Sequence, residues 1–104
     1  MVMIIMGLFD KRREQKEFNN KAEWKQGLIP TIVELNDDHM KLITQAYTDT
    51  VFYTDIMFIE HVTRVVNFRT NVKKFSLIYK NRKGGGEKAA ELHSQIMAKM
   101  SENK

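Results

Sequence analysis

Within Val72–Lys80, large apolar side chains alternate with mainly polar ones, and this period of two constrains the fold more than any other feature. One face collects the large apolar side chains Phe75, Leu77 and Tyr79. Because the side chains of a β-strand point alternately to the two faces of a sheet, the pattern predicts a strand with one buried face. The preceding segment, Arg64–Arg69, alternates in the same way, so the two together predict an antiparallel hairpin.

Three earlier segments predict further strands, which brings the expected number to five. They are Leu28–Leu35, Met40–Gln45 and Val51–Glu60. The residues of Asn36–His39 favour turns, so the first two segments are expected to pair across it. Val51–Glu60 has apolar residues on both faces, and we therefore expect it near the centre of the sheet.

Two segments predict helices. Glu87–Met100 is the stronger, since apolar residues recur at three- and four-residue spacings at Ala89, Leu92, Ile96 and Met100. Asp10–Lys25 predicts a marginal helix that ends before Gly27 and Pro30. Strands followed by an amphipathic helix are typical of an α+β domain, in which the helix covers an open side of the sheet.

A chain of 104 residues is expected to form one core. We divide it into an N-terminal arm with a marginal helix, residues 1–27, and an α+β domain, residues 28–104. Met1–Leu8 is almost wholly apolar but precedes basic residues, which is the reverse of a signal peptide. It is also shorter than the roughly 20 residues that a membrane-spanning helix needs. Either Met6 is the natural start, or the segment packs as a short strand or an adhesive arm.

A family resemblance rests on the middle of the chain. Phe52–Ile56, continuing to Ile59–His61, resembles the Y-x-D-I-x-x-I-E stretch of bacterial pleckstrin-homology-like domains. The hairpin and the closing helix also look like the second half of that family, so the resemblance covers residues 31–100. The family fold has seven strands. Either strands lie undetected in the N-terminal third of this chain, or long segments bend and count twice.

This resemblance implies a fold and a type of function. The fold is α+β, a small antiparallel sheet or partly open barrel of five to seven strands capped by a C-terminal amphipathic helix. The function is binding or assembly rather than catalysis. Phosphoinositide-binding relatives carry basic residues in the first hairpin loop. We assign that loop to the acidic Asn36–His39, so phosphoinositide lipid is not the expected ligand.

No pattern of catalytic or metal-binding residues is present in the sequence. His39, His61 and His93 lie far apart and lack the spacing of known metal motifs. Asp55, Glu60 and His61 could serve a hydrolase, but Asp55 is interpreted as a bend residue, and Glu60 and His61 as a surface pair. We therefore expect no enzyme activity and no cofactor. The chain has no cysteine, which fits a reducing compartment such as the cytoplasm.

Charge is distributed unevenly along the chain, which has a net charge of +4. Residues 61–86 contain seven basic and no acidic side chains: Arg64, Arg69, Lys73, Lys74, Lys80, Arg82 and Lys83. Residues 31–60 contain six acidic side chains against Lys41 alone. Either the two blocks decorate solvated strand faces and attract one another, or the basic residues form a patch for an acidic protein, nucleic acid or anionic lipid.

The segment Arg82–Lys88 contains three glycines before the predicted helix, so it is either a flexible linker or a phosphate-binding turn. The leading hypothesis is a protein-interaction or assembly module, acting through the sheet edge, the basic hairpin or the N-terminal arm, self-association included. The alternative is binding of nucleic acid or an anionic surface through residues 64–83.

Overall fold

The described part of the chain, residues 15–104 of a computed structural model, begins in helix α1, residues 15–21. Seven strands follow: β1 Trp24–Gln26, β2 Ile29–Leu35, β3 His39–Ile43, β4 Thr48–Phe52, β5 Phe58–Val62, β6 Val65–Arg69 and β7 Lys74–Tyr79. A turn of 3-10 helix, Tyr53–Asp55, separates β4 from β5. Helix α2, Gly85–Glu102, is the last element. The predicted α+β class is therefore confirmed.

All neighbouring strands are antiparallel, in the order β4-β3-β2-β1-β7-β6-β5. The short strand β1 lies in the middle, where Trp24 is paired with Thr31 of β2 and with Tyr79 of β7. Side chains from both halves of the sheet, such as Leu42 of β3 and Leu77 of β7, belong to one buried cluster. The two halves therefore enclose a common core.

Helix α2 covers the core on the side of β5, β6 and β7. The stripe predicted for this helix is buried at Ala89, Leu92 and Ile96, and Met100 packs partly buried against it. Burying a leucine or isoleucine side chain stabilises a fold by about 1.5 to 3 kcal/mol. The helix thus contributes to the core rather than resting on its surface.

The prediction of one central strand over Val51–Glu60 is wrong. The segment is divided between β4 and β5, and these are the two outermost strands of the sheet. Between them the chain bends so that Tyr53 is buried and its hydroxyl donates a hydrogen bond of 2.8 Å to the Asn36 carbonyl oxygen. The apolar residues on both faces reflect this bend, together with exposed residues such as Phe58.

The predicted helix over Asp10–Lys25 is also corrected, because its described part ends at residue 21 and Trp24 lies in a strand. The Trp24 ring packs edge-on against Tyr79 with 5.2 Å between ring centroids, which holds this segment in the sheet. Strand β1 and the division of Val51–Glu60 together account for seven strands. Strand β1 lies before the predicted domain boundary after residue 27, whereas Met1–Leu8 lies outside the described residues.

Neither helix within residues 15–104 combines the length and the apolar composition that crossing a membrane requires.

Candidate partner-binding surface

The seven basic residues predicted as a patch are divided between the two ends of the β6–β7 hairpin. Arg69, Lys73 and Lys74 lie at the turn that joins the two strands. The remaining four lie at the other end, beyond β6 or β7: Arg64, Lys80, Arg82 and Lys83. At the usual rise per residue, the length of β7 separates the two groups by about 17 Å. The structure therefore does not bring the seven residues together.

Three of these cations are bound within the chain itself. Lys73 Nζ lies 3.3 Å from Asp49 Oδ2 and 5.0 Å from the centroid of the Phe75 ring. The Arg64 guanidinium donates to the Tyr79 carbonyl oxygen at 3.3 Å. Lys80 Nζ donates to the Asn20 carbonyl oxygen, also at 3.3 Å. The contact between Lys73 and Asp49 joins the basic and the acidic segments, as one of the two interpretations of the charge pattern predicts.

Strands β5, β6 and β7 have an inner and an outer face. The inner face is covered by α2, as the rings of His61 on β5 and His93 on α2 illustrate, with centroids 4.9 Å apart. The outer face consists of three rows of cross-strand neighbours, which are Phe58–Arg69–Lys74, Glu60–Asn67–Ser76 and Val62–Val65–Ile78. A row with two cations and an aromatic ring therefore adjoins a polar row, and an apolar row lies beyond it.

A concave surface with a volume of about 550 Å³ lies on this outer face. Its lining comes from all three strands: Phe58, Glu60, Asn67, Phe68, Arg69, Lys74, Phe75 and Ser76. The polar row is internally hydrogen-bonded, since Ser76 Oγ donates to Asn67 Oδ1 at 2.7 Å and Asn67 Nδ2 donates to Glu60 Oε1 at 3.4 Å. The polar side chains of this row are therefore joined to one another by hydrogen bonds.

The two cations of this surface differ from Lys73. Among residues 15–104, the ion pairs formed with carboxylates involve His39, Lys73 and Lys99 but neither Arg69 nor Lys74. Both side chains are exposed, and Phe58 beside them keeps 46% of its surface exposed. A ligand on the outer face would therefore meet two positive charges next to an aromatic ring.

The sequence did not identify every member of this surface. Phe58, Glu60, Asn67 and Ser76 were missed as site residues. The alternation within the hairpin places Asn67 opposite Ser76 and so provides a signal for those two. Phe58 and Glu60 join them only because β5 pairs with β6, and strand pairing of that kind is not encoded in local periodicity.

Two of the three glycines in Arg82–Lys88 have structural roles, Gly84 in the turn and Gly85 in packing. Gly84 adopts φ = 73°, a left-handed conformation that favours glycine. Gly85 is buried, and a Cβ placed on it would lie 2.6 Å from the Cβ of Arg64. Its N–H donates to the Arg82 carbonyl oxygen at 3.2 Å. These glycines allow α2 to begin in direct contact with the turn between β5 and β6.

The side chains considered for catalysis are not assembled into a site. Glu60 and His61 point to opposite faces of β5, so they do not form a pair. His39 Nδ1 lies 2.6 Å from Asp38 Oδ1, and this hydrogen bond lowers the pKa of Asp38. Within the part of the chain that the structure describes, no three His, Asp or Glu side chains are grouped to hold a metal ion.

The loop Asn36–His39 was misassigned at the sequence level. It joins β2 to β3 and is therefore the second hairpin loop, because β1 precedes them. The first hairpin loop consists of Gly27 and Leu28, neither of which is charged. The expectation that phosphoinositide lipid is not bound stays a prediction, and it now depends on this uncharged turn.

No protein-family model matches the chain, and a search of curated proteins found no significant match. Among solved structures, inner membrane complex sub-compartment protein 3 from Toxoplasma gondii is similar, with 13% sequence identity and a TM-score of 0.53. The match covers 70% of this chain and 64% of that protein's chain. At this identity the likeness concerns the fold alone. The seven-strand antiparallel sheet with its C-terminal helix fits the pleckstrin-homology-like fold.

Proposed function

We propose that this chain is a non-enzymatic interaction module of the pleckstrin-homology-like type, and that it binds a protein partner through the outer face of β5, β6 and β7. The observation that carries the proposal is the concave surface on that face, where Arg69 and Lys74 stand beside the exposed Phe58. Aromatic side chains and arginine are enriched in protein–protein interfaces, and Phe58 and Arg69 belong to these types.

A protein ligand agrees better with the geometry than nucleic acid does. A nucleic acid backbone is bound by cations placed along a continuous path, often with exposed rings on which bases stack. Here the basic residues form two groups about 17 Å apart, at the usual rise per residue of a strand. The aromatic rings interleaved with them in the sequence are buried: Phe68, Phe75 and Tyr79.

Several narrower assignments are part of the same proposal. We infer that the chain belongs to the bacterial branch of the pleckstrin-homology-like group and acts in the cytoplasm. Because β1 belongs to the sheet, only the part of the predicted arm that precedes β1 is proposed to lie outside the main domain, where it would serve self-association. Comparison of the oligomeric state of the full chain with that of a chain beginning at Met6, by light scattering, tests that role. Two monomers of equal stability would remove it.

A crosslinking experiment tests the main proposal. A photoreactive amino acid replaces Ser76 on the outer face, or Thr50 on the exposed side of β4 as a matched control. Partners crosslinked in cells of the source organism are identified, purified and titrated against the wild-type chain. We expect a partner that crosslinks from position 76 only and that binds when purified. If the only partners that bind when purified are those crosslinked from position 50, the interaction surface lies elsewhere.

A further inference from the structure

The outer face contains an electrostatic conflict within one row of side chains. Arg69 and Lys74 are directly opposite one another on β6 and β7. Like charges in that relationship destabilise a sheet, because their side chains lie within about 5.5 Å at the Cβ atoms. Within residues 15–104 neither has a carboxylate partner. A bound anionic group would relieve this repulsion.

The neighbours of the two cations restrict what that anionic group can be attached to. Phe58 completes the row on β5 and is 46% exposed, so an apolar side chain of a ligand can pack against it. Glu60 lies one row further along the same strand and carries a negative charge. The row after it is apolar, with Val62 52% exposed. A second acidic group placed over Glu60 would therefore be repelled.

We propose that Arg69, Lys74 and Phe58 form a recognition site for a partner segment that carries a single aspartate or glutamate next to apolar side chains. The carboxylate is held by the two cations, to which arginine contributes a planar pair of donors suited to carboxylate. The apolar neighbours pack against Phe58 and against the row that includes Val62. The inference rests on the proposed function, since it names the chemistry of the partner at the same face.

The charge pattern distinguishes this ligand from a uniform polyanion. Rows on one face of a strand are about 7 Å apart, which is also the spacing of alternate residues in an extended ligand. An extended acidic run that lies along β6 from Arg69 would place its next acidic side chain on that face over Asn67, beside the carboxylate of Glu60. A single acidic residue within an apolar segment avoids that repulsion.

A library of random peptides displayed on phage is the probe, selected separately on three forms of the full chain. These are the wild type, the double variant Arg69→Gln with Lys74→Gln, and the control Arg82→Gln with Lys83→Gln, which removes the same charge from an exposed loop. We expect the wild type and the control to enrich peptides with one acidic residue beside apolar residues. In a selected peptide, replacing that residue by its amide should weaken binding about tenfold for these two forms and leave binding to the Arg69 and Lys74 variant unchanged.

The remaining outcomes separate this inference from the proposed function. Enrichment of the same acidic motif on all three forms, or of no acidic motif, would overturn the recognition site. A purified partner that crosslinks from position 76 and binds the double variant with unchanged affinity would overturn it too, while leaving the proposed function intact. An acidic motif lost only in the Arg69 and Lys74 variant supports the site even if crosslinking at position 76 fails. Oligothymidylate is titrated against the same three forms. Tight binding by the wild type that is weakened equally in both double variants would contradict a protein ligand.

Discussion

The backbone of Gly85, at the start of α2, packs directly against the Cβ of Arg64 in the turn between β5 and β6. Arg64 is at the same time hydrogen-bonded to the carbonyl oxygen of Tyr79, at the end of β7. The arginine that the sequence placed in a ligand-binding patch therefore helps to join the helix to two parts of the sheet. Replacement of Arg64 is therefore expected to lower the stability of the fold rather than to act only on ligand binding.

Replacing Gly85 by alanine should destabilise the fold by about 1 to 3 kcal/mol, the usual cost of overpacking a tight contact. The added Cβ would meet the Arg64 Cβ at 2.6 Å, and that atom is fixed by the backbone. Urea unfolding followed by the fluorescence of Trp24, the only tryptophan in the chain, measures the change. Gly86→Ala is the matched control, since its Cβ would meet only the Thr63 carbonyl oxygen at 3.6 Å. Equal losses in both variants would contradict the tight contact.

Replacing Leu92 by alanine should lower the free energy of unfolding by about 2 to 5 kcal/mol, because the side chain is buried between α2 and the sheet. Met97 on the same helix is 45% exposed, and Met97→Ala should change stability by less than about 1 kcal/mol. Thermal unfolding followed by circular dichroism compares the two. Similar changes in both would mean that α2 does not cover the core in the orientation described.

Tyr53→Phe should cost about 1 to 2 kcal/mol at neutral pH, because it leaves the Asn36 carbonyl oxygen without its hydrogen bond. Burial, together with the nearby carboxylates of Asp37 and Asp38, raises the pKa of Tyr53 above its usual value of 10.0. Its contribution to stability is therefore complete below about pH 10, where the unfolded chain still holds the proton. That contribution is lost as the pH rises through the pKa of the folded protein.

Unfolding by urea at neutral pH and at several values above pH 10.0 measures this effect. The stability of the wild type should fall more steeply with rising pH than that of the Tyr53→Phe variant. Parallel pH profiles for the two proteins would show that the Tyr53 hydroxyl ionises as readily in the folded as in the unfolded chain.

Lys74→Glu should stabilise the fold by about 0.5 kcal/mol and weaken binding of acidic peptides. The substitution replaces a like-charge pair by an opposite-charge pair with Arg69 on the neighbouring strand. The variant Arg69→Glu with Lys74→Glu restores a pair of like charge, so it should lose the gain in stability. Denaturant unfolding and titration with a selected peptide measure the two effects. A Lys74→Glu protein less stable than the wild type would contradict the repulsion.

Local periodicity predicts the β6–β7 hairpin and helix α2 because both place large apolar side chains at regular intervals. The position of β1 has no such signal. It has three residues, and it is held by pairing with β7 and by the contact between Trp24 and Tyr79. The bend within Val51–Glu60 likewise depends on a bond from Tyr53 to Asn36, which lies on another hairpin loop.

The candidate site was predictable in part for a related reason. The density of basic residues along the chain pointed to the hairpin on which we propose the site. The count of charges, however, does not give the direction of each side chain. Arg69 and Lys74 face outward together, whereas Lys73, next to Lys74, is bonded to Asp49. The direction of each side chain follows from strand register and from the contact between the β6–β7 turn and β4.

The central position of β1 has a consequence for synthesis on the ribosome. Lys25 of this early strand pairs with Ile78 of the last strand, so the middle of the sheet joins the beginning of the described chain to a segment near its end. A nascent chain that has not yet exposed β7 holds Trp24 without its aromatic neighbour and leaves one side of β1 open. The sheet therefore cannot be completed until translation has passed Tyr79.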